Sequence, residues 1–338
     1  MKKRLYLIII INILFTLFSC KKEICIISNE CLNYKSIHSK IDTLKLVSYP
    51  ENCASIFGAK YSPMKQFGYF APIVCSSHNS ELFFLEKDYT NLSNSFSLFS
   101  LNLCTSQKTK LCTDILLKPS ISKKGWLIFT RTDNQLWKMK CNGDSLTQVS
   151  NNNSINSYPI WNNSKDLFCF RYANGGYYQC YIANDSGTIL DSIPQFKNYT
   201  EKYWVDDNIY AISPLGGSNI KIDVYNLITK KSDNVISINL PPNESINSLF
   251  VNENQSLLFW STINNFNILT LNTNTSKAYN VGRSNTNLVS FSISKDEQNI
   301  LFNRVNINMI DSCNFTFANR IYIAKIDNPF YLKEIPLE

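Results

Sequence analysis

The chain has 338 residues, with 33 Lys and Arg against 26 Asp and Glu and a formal net charge of +7. The basic residues are dispersed, so this mild excess does not form the footprint expected of a nucleic-acid-binding protein. There are two histidines, His38 and His78, which argues against a histidine-dependent hydrolase and against a His-rich metal site.

The first twenty residues are typical of an export signal. A basic start at Lys2 to Arg4 is followed by an apolar run from Leu5 to Leu14 and then by Leu17-Phe18-Ser19-Cys20. A run of this length fits a signal peptide better than a spanning helix, which needs about 20 residues. The last four residues resemble the lipobox of bacterial lipoproteins, in which the cysteine is lipidated. An ordinary signal peptide with an incidental cysteine is the alternative.

The lipobox resemblance implies that residues 1–19 are removed and that Cys20 becomes the lipidated N-terminus. Two or more acyl chains hold a protein stably at a membrane without spanning it. Residues 20–40 then form a tether, and Lys21-Lys22-Glu23 resembles the short polar spacers of Bacteroidetes lipoproteins. By analogy with the sorting rule of enteric bacteria, lysine after Cys20 implies an outer-membrane lipoprotein, facing either the periplasm or the cell surface.

Cysteines other than Cys20 number ten, an even count in a compartment where disulfides persist. Cys169 and Cys180 are symmetric about Asn174-Gly175, a favoured hairpin turn. In that register they are directly opposite, with Cα atoms about 5.5 Å apart, which is within disulfide range. Two further candidate bridges are Cys25 with Cys31 and Cys104 with Cys112. Burial as free thiols is the alternative for each pair.

Short apolar and aromatic-rich runs recur through residues 41–338, and we interpret six of them as the inner strands of repeated units: Leu82 to Phe84, Trp126 to Phe129, Leu167 to Phe170, Asn208 to Tyr210, Leu257 to Trp260 and Ile300 to Phe302. Their spacing of about 40 to 50 residues suits a four-stranded propeller blade. Each is followed by a turn and a second alternating run: Leu98 to Leu103, Leu136 to Cys141, Tyr178 to Ala183, Ile220 to Tyr225, Phe266 to Leu271 and Ile321 to Ile326.

The unit around Trp126 carries a family resemblance. Ser122-Lys123-Lys124-Gly125 leads into the apolar strand Trp126 to Phe129, and Gln135-Leu136-Trp137 precedes a turn at Asn142-Gly143-Asp144. This order resembles the TolB-type, WD-repeat-like β-propeller repeat. The resemblance covers residues 69–338, and it is weak around Tyr210 and Phe259, where the Pro-Asp-Gly turn is absent.

We therefore predict an all-β fold, a six-bladed β-propeller of four-stranded antiparallel blades in residues 41–338. Closing a ring of such sheets buries faces that an isolated sheet would expose. The run Ile41 to Val47 is a spare strand that could close the ring. The alternative is a seven-bladed ring whose first blade begins near Ile41.

Catalytic motifs are absent from the sequence: there is no Gly-x-Ser-x-Gly elbow, no phosphate-binding glycine loop and no His-Glu-x-x-His. Asp206-Asp207 and Asp296-Glu297 are adjacent acidic pairs, but neighbouring strand residues point to opposite faces, so we interpret both as solvated turns. The five arginines in the propeller repeats are scattered, and an arginine triad of the sialidase type stays open. We predict no metal and no cofactor.

These patterns favour a lipid-anchored, non-catalytic envelope propeller that binds or scaffolds another envelope protein. The alternative is a carbohydrate-binding or glycan-cleaving propeller, which exposed Tyr or Trp clustered with acidic residues would favour. The longest irregular segment is predicted between Asn306 and Phe317. Because Met309, Ile310, Phe315 and Phe317 are apolar for a loop, we predict that they form the partner-binding loop. An extra edge-covering hairpin is the alternative.

Overall fold

The computed structural model describes residues 45–48, 73–78, 81–86, 95–102, 105, 107–162, 164–196, 199, 202–213, 219–239, 246, 248–261, 265–271, 275–280, 286–293, 299–309, 314–326 and 332–335. The cysteines Cys20, Cys25, Cys31 and Cys104, the residue Ile310 and the pair Asp296-Glu297 lie outside these residues. Among the described residues, no helix is long and apolar enough to cross a membrane.

Five blades each contain four antiparallel strands that follow one another along the chain. Blade 1 contains β2 (Ile73–His78), β3 (Glu81–Glu86), β4 (Phe96–Asn102) and β5 (Lys108–Ile115). Blade 2 contains β6 (Ser120–Ile121), β7 (Trp126–Thr130), β8 (Leu136–Lys140) and β9 (Thr147–Gln148). Blade 3 contains β10 (Ile155–Trp161), β11 (Leu167–Asn174), β12 (Tyr177–Asn184) and β13 (Ile189–Ser192).

Blades 4 and 5 repeat this order. Blade 4 contains β14 (Lys202–Val205), β15 (Asn208–Ser213), β16 (Asn219–Asn226) and β17 (Lys231–Asn239). Blade 5 contains β18 (Ser248–Val251), β19 (Leu257–Ser261), β20 (Asn265–Thr270) and β21 (Thr275–Asn280). A 3-10 turn, Pro194–Phe196, lies between the last strand of blade 3 and the first strand of blade 4.

One further sheet, the terminal sheet, has five strands. It contains β1 (Lys45–Ser48), β22 (Thr286–Ile293), β23 (Asn299–Met309), β24 (Asn314–Lys325) and β25 (Leu332–Ile335). Both β1 and β25 pair with β24, β1 along residues 314–317 and β25 along residues 321–324. The two ends of the chain therefore cover successive parts of one sheet edge, which would otherwise expose unpaired backbone groups.

The prediction of an all-β propeller with four-stranded antiparallel blades is confirmed, but the predicted blade counts are not. Five blades are four-stranded, and the remaining sheet has five strands. The seven-bladed alternative is wrong because β1 joins the terminal sheet instead of starting a blade. The six marker runs were predicted as inner strands but form the second strand of each sheet, since β2, β6, β10, β14, β18 and β22 approach one another at the centre.

The apolar cores lie between neighbouring blades. One cluster joins Phe83 of blade 1 to Phe129 of blade 2, and another joins Phe259 of blade 5 to Phe302 of the terminal sheet. Alternate residues of a strand point to opposite faces, so each blade contributes to the cluster on either side of it. The predicted packing of aromatic residues between blades is therefore confirmed for these residues.

Candidate binding site between blades 3 and 4

Exposed hydrophobic side chains are concentrated in blade 3. Of the seven large ones among the described residues, five belong to this blade: Ile155, Tyr177, Tyr178, Ile189 and Leu190. Single exposed hydrophobic residues are ordinary, whereas a group of them marks an interaction surface. Blade 3 therefore presents more exposed hydrophobic surface suited to binding than the other described blades.

The two exposed tyrosines flank a tight turn. Asn174 pairs with Tyr177 across Gly175-Gly176, whose φ angles are +55° and +86°. Both central residues of a type I′ turn need positive φ, which glycine adopts without steric cost. The turn holds Tyr177 and Tyr178 at the end of the hairpin with 57% and 38% of their surface exposed.

Ile155 lies beside this hairpin because it pairs with Ala173, which in turn pairs with Tyr178. Residues that pair directly across strands share a face of the sheet. Ile155 and Tyr178 thus face the same side of blade 3, towards blade 4. Tyr177 pairs with Asn174 and projects from the opposite face at the end of the hairpin. We call Ile155, Tyr177 and Tyr178 the blade 3 rim.

Arg171 lies next to the rim on this same face, opposite Ser157 on one side and Cys180 on the other. Its guanidinium carbon is 4.4 Å from the centre of the Tyr178 ring, within the range of a cation–π contact. The Nε atom is buried, and among the described residues it has no hydrogen-bond partner. Tyr178 therefore covers a cation whose inner nitrogen is unsatisfied.

Lys202, the first residue of β14, approaches from blade 4. It is 6% exposed, and its Nζ has no hydrogen-bond partner among the described residues. Trp204, two residues later and hence on the same face, packs in the cluster that contains Cys169 and Cys180. Lys202 therefore points into the interface between blades 3 and 4, where its Nζ is 5.8 Å from the centre of the Tyr158 ring.

The backbone of β10 is irregular where it meets Lys202. Tyr158 has a φ of +52°, and the register of β10 with β11 shifts between Ser157 and Ile160. Such a bulge re-aims a side chain, and a positive φ at a bulky residue costs free energy that other contacts must offset. Its consequence here is that the Tyr158 ring lies over the Lys202 ammonium group.

Cys169 and Cys180 form the floor of this interface, and neither is exposed. The predicted register is wrong: Cys169 pairs with Ile182, and Cys180 pairs with Arg171, because the turn is Gly175-Gly176 and not Asn174-Gly175. The cysteines are thus diagonal neighbours, for which Cα atoms are about 7–8 Å apart, beyond the range of an unstrained disulfide. Both are free thiols in the structure.

The two thiols differ in acidity although both are buried. Burial, followed by the hydrogen bond with Cys180, raises the pKa of Cys169 well above its usual value. The hydrogen bond from Cys169 and the nearby Lys202 ammonium lower the pKa of Cys180 against the opposing effect of burial. The Lys202 ammonium thus favours the thiolate form of either cysteine, and burial opposes it.

The other predicted disulfide partner within the described residues is Cys112, which pairs with Leu98 and is also a free thiol. Burial raises its pKa to about 11. Its predicted partner, Cys104, lies outside the described residues. The bridge from Cys25 to Cys31 and the lipidation of Cys20 stay predictions.

The segment predicted as an irregular binding loop is mostly a hairpin. Met309 ends β23, Phe315 and Phe317 belong to β24, and Met309 pairs with Phe315. Phe315 and Phe317 also pair with Val47 and Lys45 of β1. The prediction of a loop is wrong here because the N-terminal strand, which is remote in sequence, pairs with this segment and extends it as a strand.

Asp206 and Asp207 occupy the two-residue turn between β14 and β15, as predicted. The Asp206 carbonyl accepts hydrogen bonds from Trp204 Nε1 at 2.9 Å and from Asn162 Nδ2 at 2.6 Å, and the Asp207 carboxylate is paired with Lys165. These contacts are structural. Within the described part of the chain, no three His, Cys, Asp or Glu side chains are grouped to hold a metal ion.

Comparison with known proteins identifies the fold. No protein-family model and no curated protein sequence matches the chain. Among solved structures, a putative TolB from Agrobacterium tumefaciens is 10% identical, with a TM-score of 0.53 over 72% of this chain and 88% of that one. Hydrazine synthase from Kuenenia stuttgartiensis is 8% identical, with a TM-score of 0.52 over 79% and 95%.

A puromycin hydrolase is also similar, at 6% identity and a TM-score of 0.54 over 86% of this chain and 56% of that one. Similarity at these identities establishes the fold alone, because one fold carries many functions. The protein is a β-propeller with the fold of TolB-like proteins, as its repeats predicted.

Sequence reasoning missed most of this site. Arg171 was recognised only as one of several scattered arginines, and Lys202, Tyr158, Tyr177 and Tyr178 were not singled out. One local signal was present: Gly175-Gly176 is followed at once by Tyr177-Tyr178, which places two large aromatic residues at a hairpin tip. The convergence of Lys202 and Arg171 had no local signal, since they belong to different blades.

Proposed function

We propose that this protein is a lipid-anchored, non-catalytic propeller of the cell envelope that binds another envelope protein through the blade 3 rim. The observation that carries the proposal is the grouping of Ile155 and Tyr178 beside Arg171, with Tyr177 exposed at the end of the same hairpin. Tyrosine and arginine are enriched among the residues that dominate protein–protein binding energies. A rigid β-sheet scaffold holds them in place, which lowers the entropic cost of binding.

The rim is tested by replacing both Tyr177 and Tyr178 with serine. We expect affinity capture of the partner from detergent-solubilised native envelopes to fall by about tenfold or more, since each aromatic contact at such a site contributes over 1 kcal/mol. The thermal transition should be nearly unchanged, because both side chains are exposed. Ile228→Ser, at a side chain 74% exposed on blade 4, is the matched control and should capture normally. Undiminished capture by the double variant would exclude the rim.

Lipid anchoring is supported by Leu17-Phe18-Ser19-Cys20 and is tested separately. Cys20→Ala should abolish metabolic labelling by a radioactive or alkyne-tagged fatty acid, because the thioether to diacylglycerol needs this sulfur. Fractionation should then find the chain unprocessed or released from the outer membrane. Labelling and membrane retention equal to those of the wild type would show that Cys20 is not the anchor.

Glycan binding is the second candidate, and the exposed tyrosine pair is the observation that favours it. Aromatic faces stack on sugar rings as they do on other apolar surfaces. The charged group in contact with the rim is the Arg171 guanidinium, however, whereas glycan cleavage needs a pair of carboxylates about 5 to 9.5 Å apart. The test is retention of the protein on immobilised envelope polysaccharide. If the wild type is retained and the Tyr177→Ser and Tyr178→Ser variants are not, the ligand is a glycan and not a protein.

A further inference from the structure

Two cationic side chains face the interface between blades 3 and 4, and each has a buried nitrogen without a hydrogen-bond partner among the described residues. They are Lys202, whose Nζ is enclosed, and Arg171, whose Nε is enclosed. Burying a charge costs several kcal/mol unless a partner of opposite charge or a set of hydrogen bonds compensates. An arrangement of this kind in a folded protein is therefore a site that an anion would complete.

The acidic side chains on the same interface already have partners. Asp191 of β13 is paired with Lys230, and Asp223 of β16 accepts hydrogen bonds from Tyr199 Oη at 2.6 Å and from Asn234 Nδ2 at 3.0 Å. Among the ion pairs of the described residues, none includes Lys202 or Arg171. Among the described residues, the remaining candidates for a compensating anion are a thiolate of the floor and a group supplied from outside.

The surroundings of the two cations indicate the kind of ligand. Tyr158 lies over Lys202, Tyr178 lies over Arg171, and the exposed Ile155 is on the same face of blade 3 as Arg171. A ligand that meets both cations thus presents an anionic group together with apolar surface. Arginine binds carboxylates through two parallel hydrogen bonds, and lysine adds a point charge.

We propose that Lys202 and Arg171 form a carboxylate-binding site that receives an acidic side chain of the partner protein, inserted between Tyr158 and Tyr178. This inference rests on the proposed function, because it assigns an anchor to the protein partner that binds the blade 3 rim. The carboxylate accepts hydrogen bonds from the Lys202 ammonium and the Arg171 guanidinium. Adjacent apolar side chains of the partner pack on Ile155 and Tyr178.

The site is tested with small probes, N-acetyl-aspartate N-methylamide and acetate, by NMR of protein labelled in its tyrosine rings. Both probes should cause saturable shifts of the Tyr158 and Tyr178 signals, and N-acetyl-asparagine N-methylamide should not. Lys202→Met keeps the length of the side chain and removes the charge, so it should lower the affinity for both probes by about tenfold or more. Arg171→Gln should weaken them similarly, and Lys221→Met, at an exposed lysine of blade 4, should have no effect.

Several outcomes would overturn the inference. If the probes bind only after Cys180→Ser, the counter-ion of Lys202 is the Cys180 thiolate and the site is closed to external carboxylates. If glucuronate binds and the aspartate probe does not, the ligand is a glycan acid. If neither probe binds but Tyr177→Ser and Tyr178→Ser still abolish partner capture, the carboxylate site is excluded and the proposed function stands. Probe binding with capture unaffected by those variants would exclude the rim and retain the site.

Discussion

Replacing Trp204 with alanine is expected to lower the free energy of unfolding by about 3–5 kcal/mol, the usual cost of truncating a buried tryptophan. Trp204 is 1% exposed and packs in the cluster between blades 3 and 4, with Phe196 and Tyr225 among its members. Its Nε1 donates a hydrogen bond to the Asp206 carbonyl at 2.9 Å, which alanine cannot replace. The variant therefore loses apolar burial, leaves a cavity and leaves a turn carbonyl with one donor fewer.

Chemical denaturation monitored by circular dichroism measures this change. Ile228→Ser, at an exposed position of the same blade, is expected to stay within about 0.5 kcal/mol of the wild type. Trp204→Phe should recover part of the loss, since it restores ring volume without the hydrogen bond. A Trp204→Ala variant with the midpoint and slope of the wild type would mean that blades 3 and 4 do not pack through this residue.

Gly187→Ala is expected to destabilise the protein by more than about 2 kcal/mol, because it combines a strained backbone with a collision between blades. Gly187 has a φ of +90° in the turn between β12 and β13. A Cβ atom built there would lie 2.3 Å from the Val149 carbonyl oxygen and 2.9 Å from Val149 Cγ1. Because the nearest atom is backbone of blade 2, the clash can be relieved only by moving one blade against the other.

Gly176→Ala is the matched control for Gly187→Ala. Gly176 has a similar φ of +86°, and nothing lies within 4 Å of a Cβ atom there. Gly176→Ala should lower the free energy of unfolding by only about 1–2 kcal/mol, the conformational penalty for an L-residue in the left-handed region. Thermal unfolding of both variants distinguishes backbone strain from the steric clash. Equal decreases in the free energy of unfolding would show that blade 2 does not contact the turn at Gly187.

Strand positions could be predicted from the sequence because they depend on local properties. The run Trp126 to Phe129 and the alternating run Leu136 to Cys141 became β7 and β8 within one residue at each end. Apolar residues, β-propensity and turn residues all act over a few positions. The repeat of about 40 to 50 residues corresponds to the length of one four-stranded blade. The same reasoning assigned Asp206-Asp207 to a turn.

Register was less predictable, as the blade 3 hairpin shows. Asn174-Gly175 and Gly175-Gly176 are both good type I′ turns, and the sequence around them does not discriminate between them. The structure uses Gly175-Gly176, which pairs Arg171 with Cys180 and changes the cysteines from opposite to diagonal neighbours. Register depends on which face the neighbouring blades bury, and that is a property of the assembled ring.

By itself, the sequence determined that this is a β-propeller of four-stranded blades, since each repeat carries its own apolar strands and turns. Only the tertiary structure decided that Lys45–Ser48 pairs with residues 314–317 and that Lys202 of blade 4 lies against Tyr158 of blade 3. These contacts join residues of different blades or of opposite chain ends, and their positions depend on how the ring closes. Local sequence patterns do not predict how the ring closes, because closure results from packing between sheets that are distant along the chain.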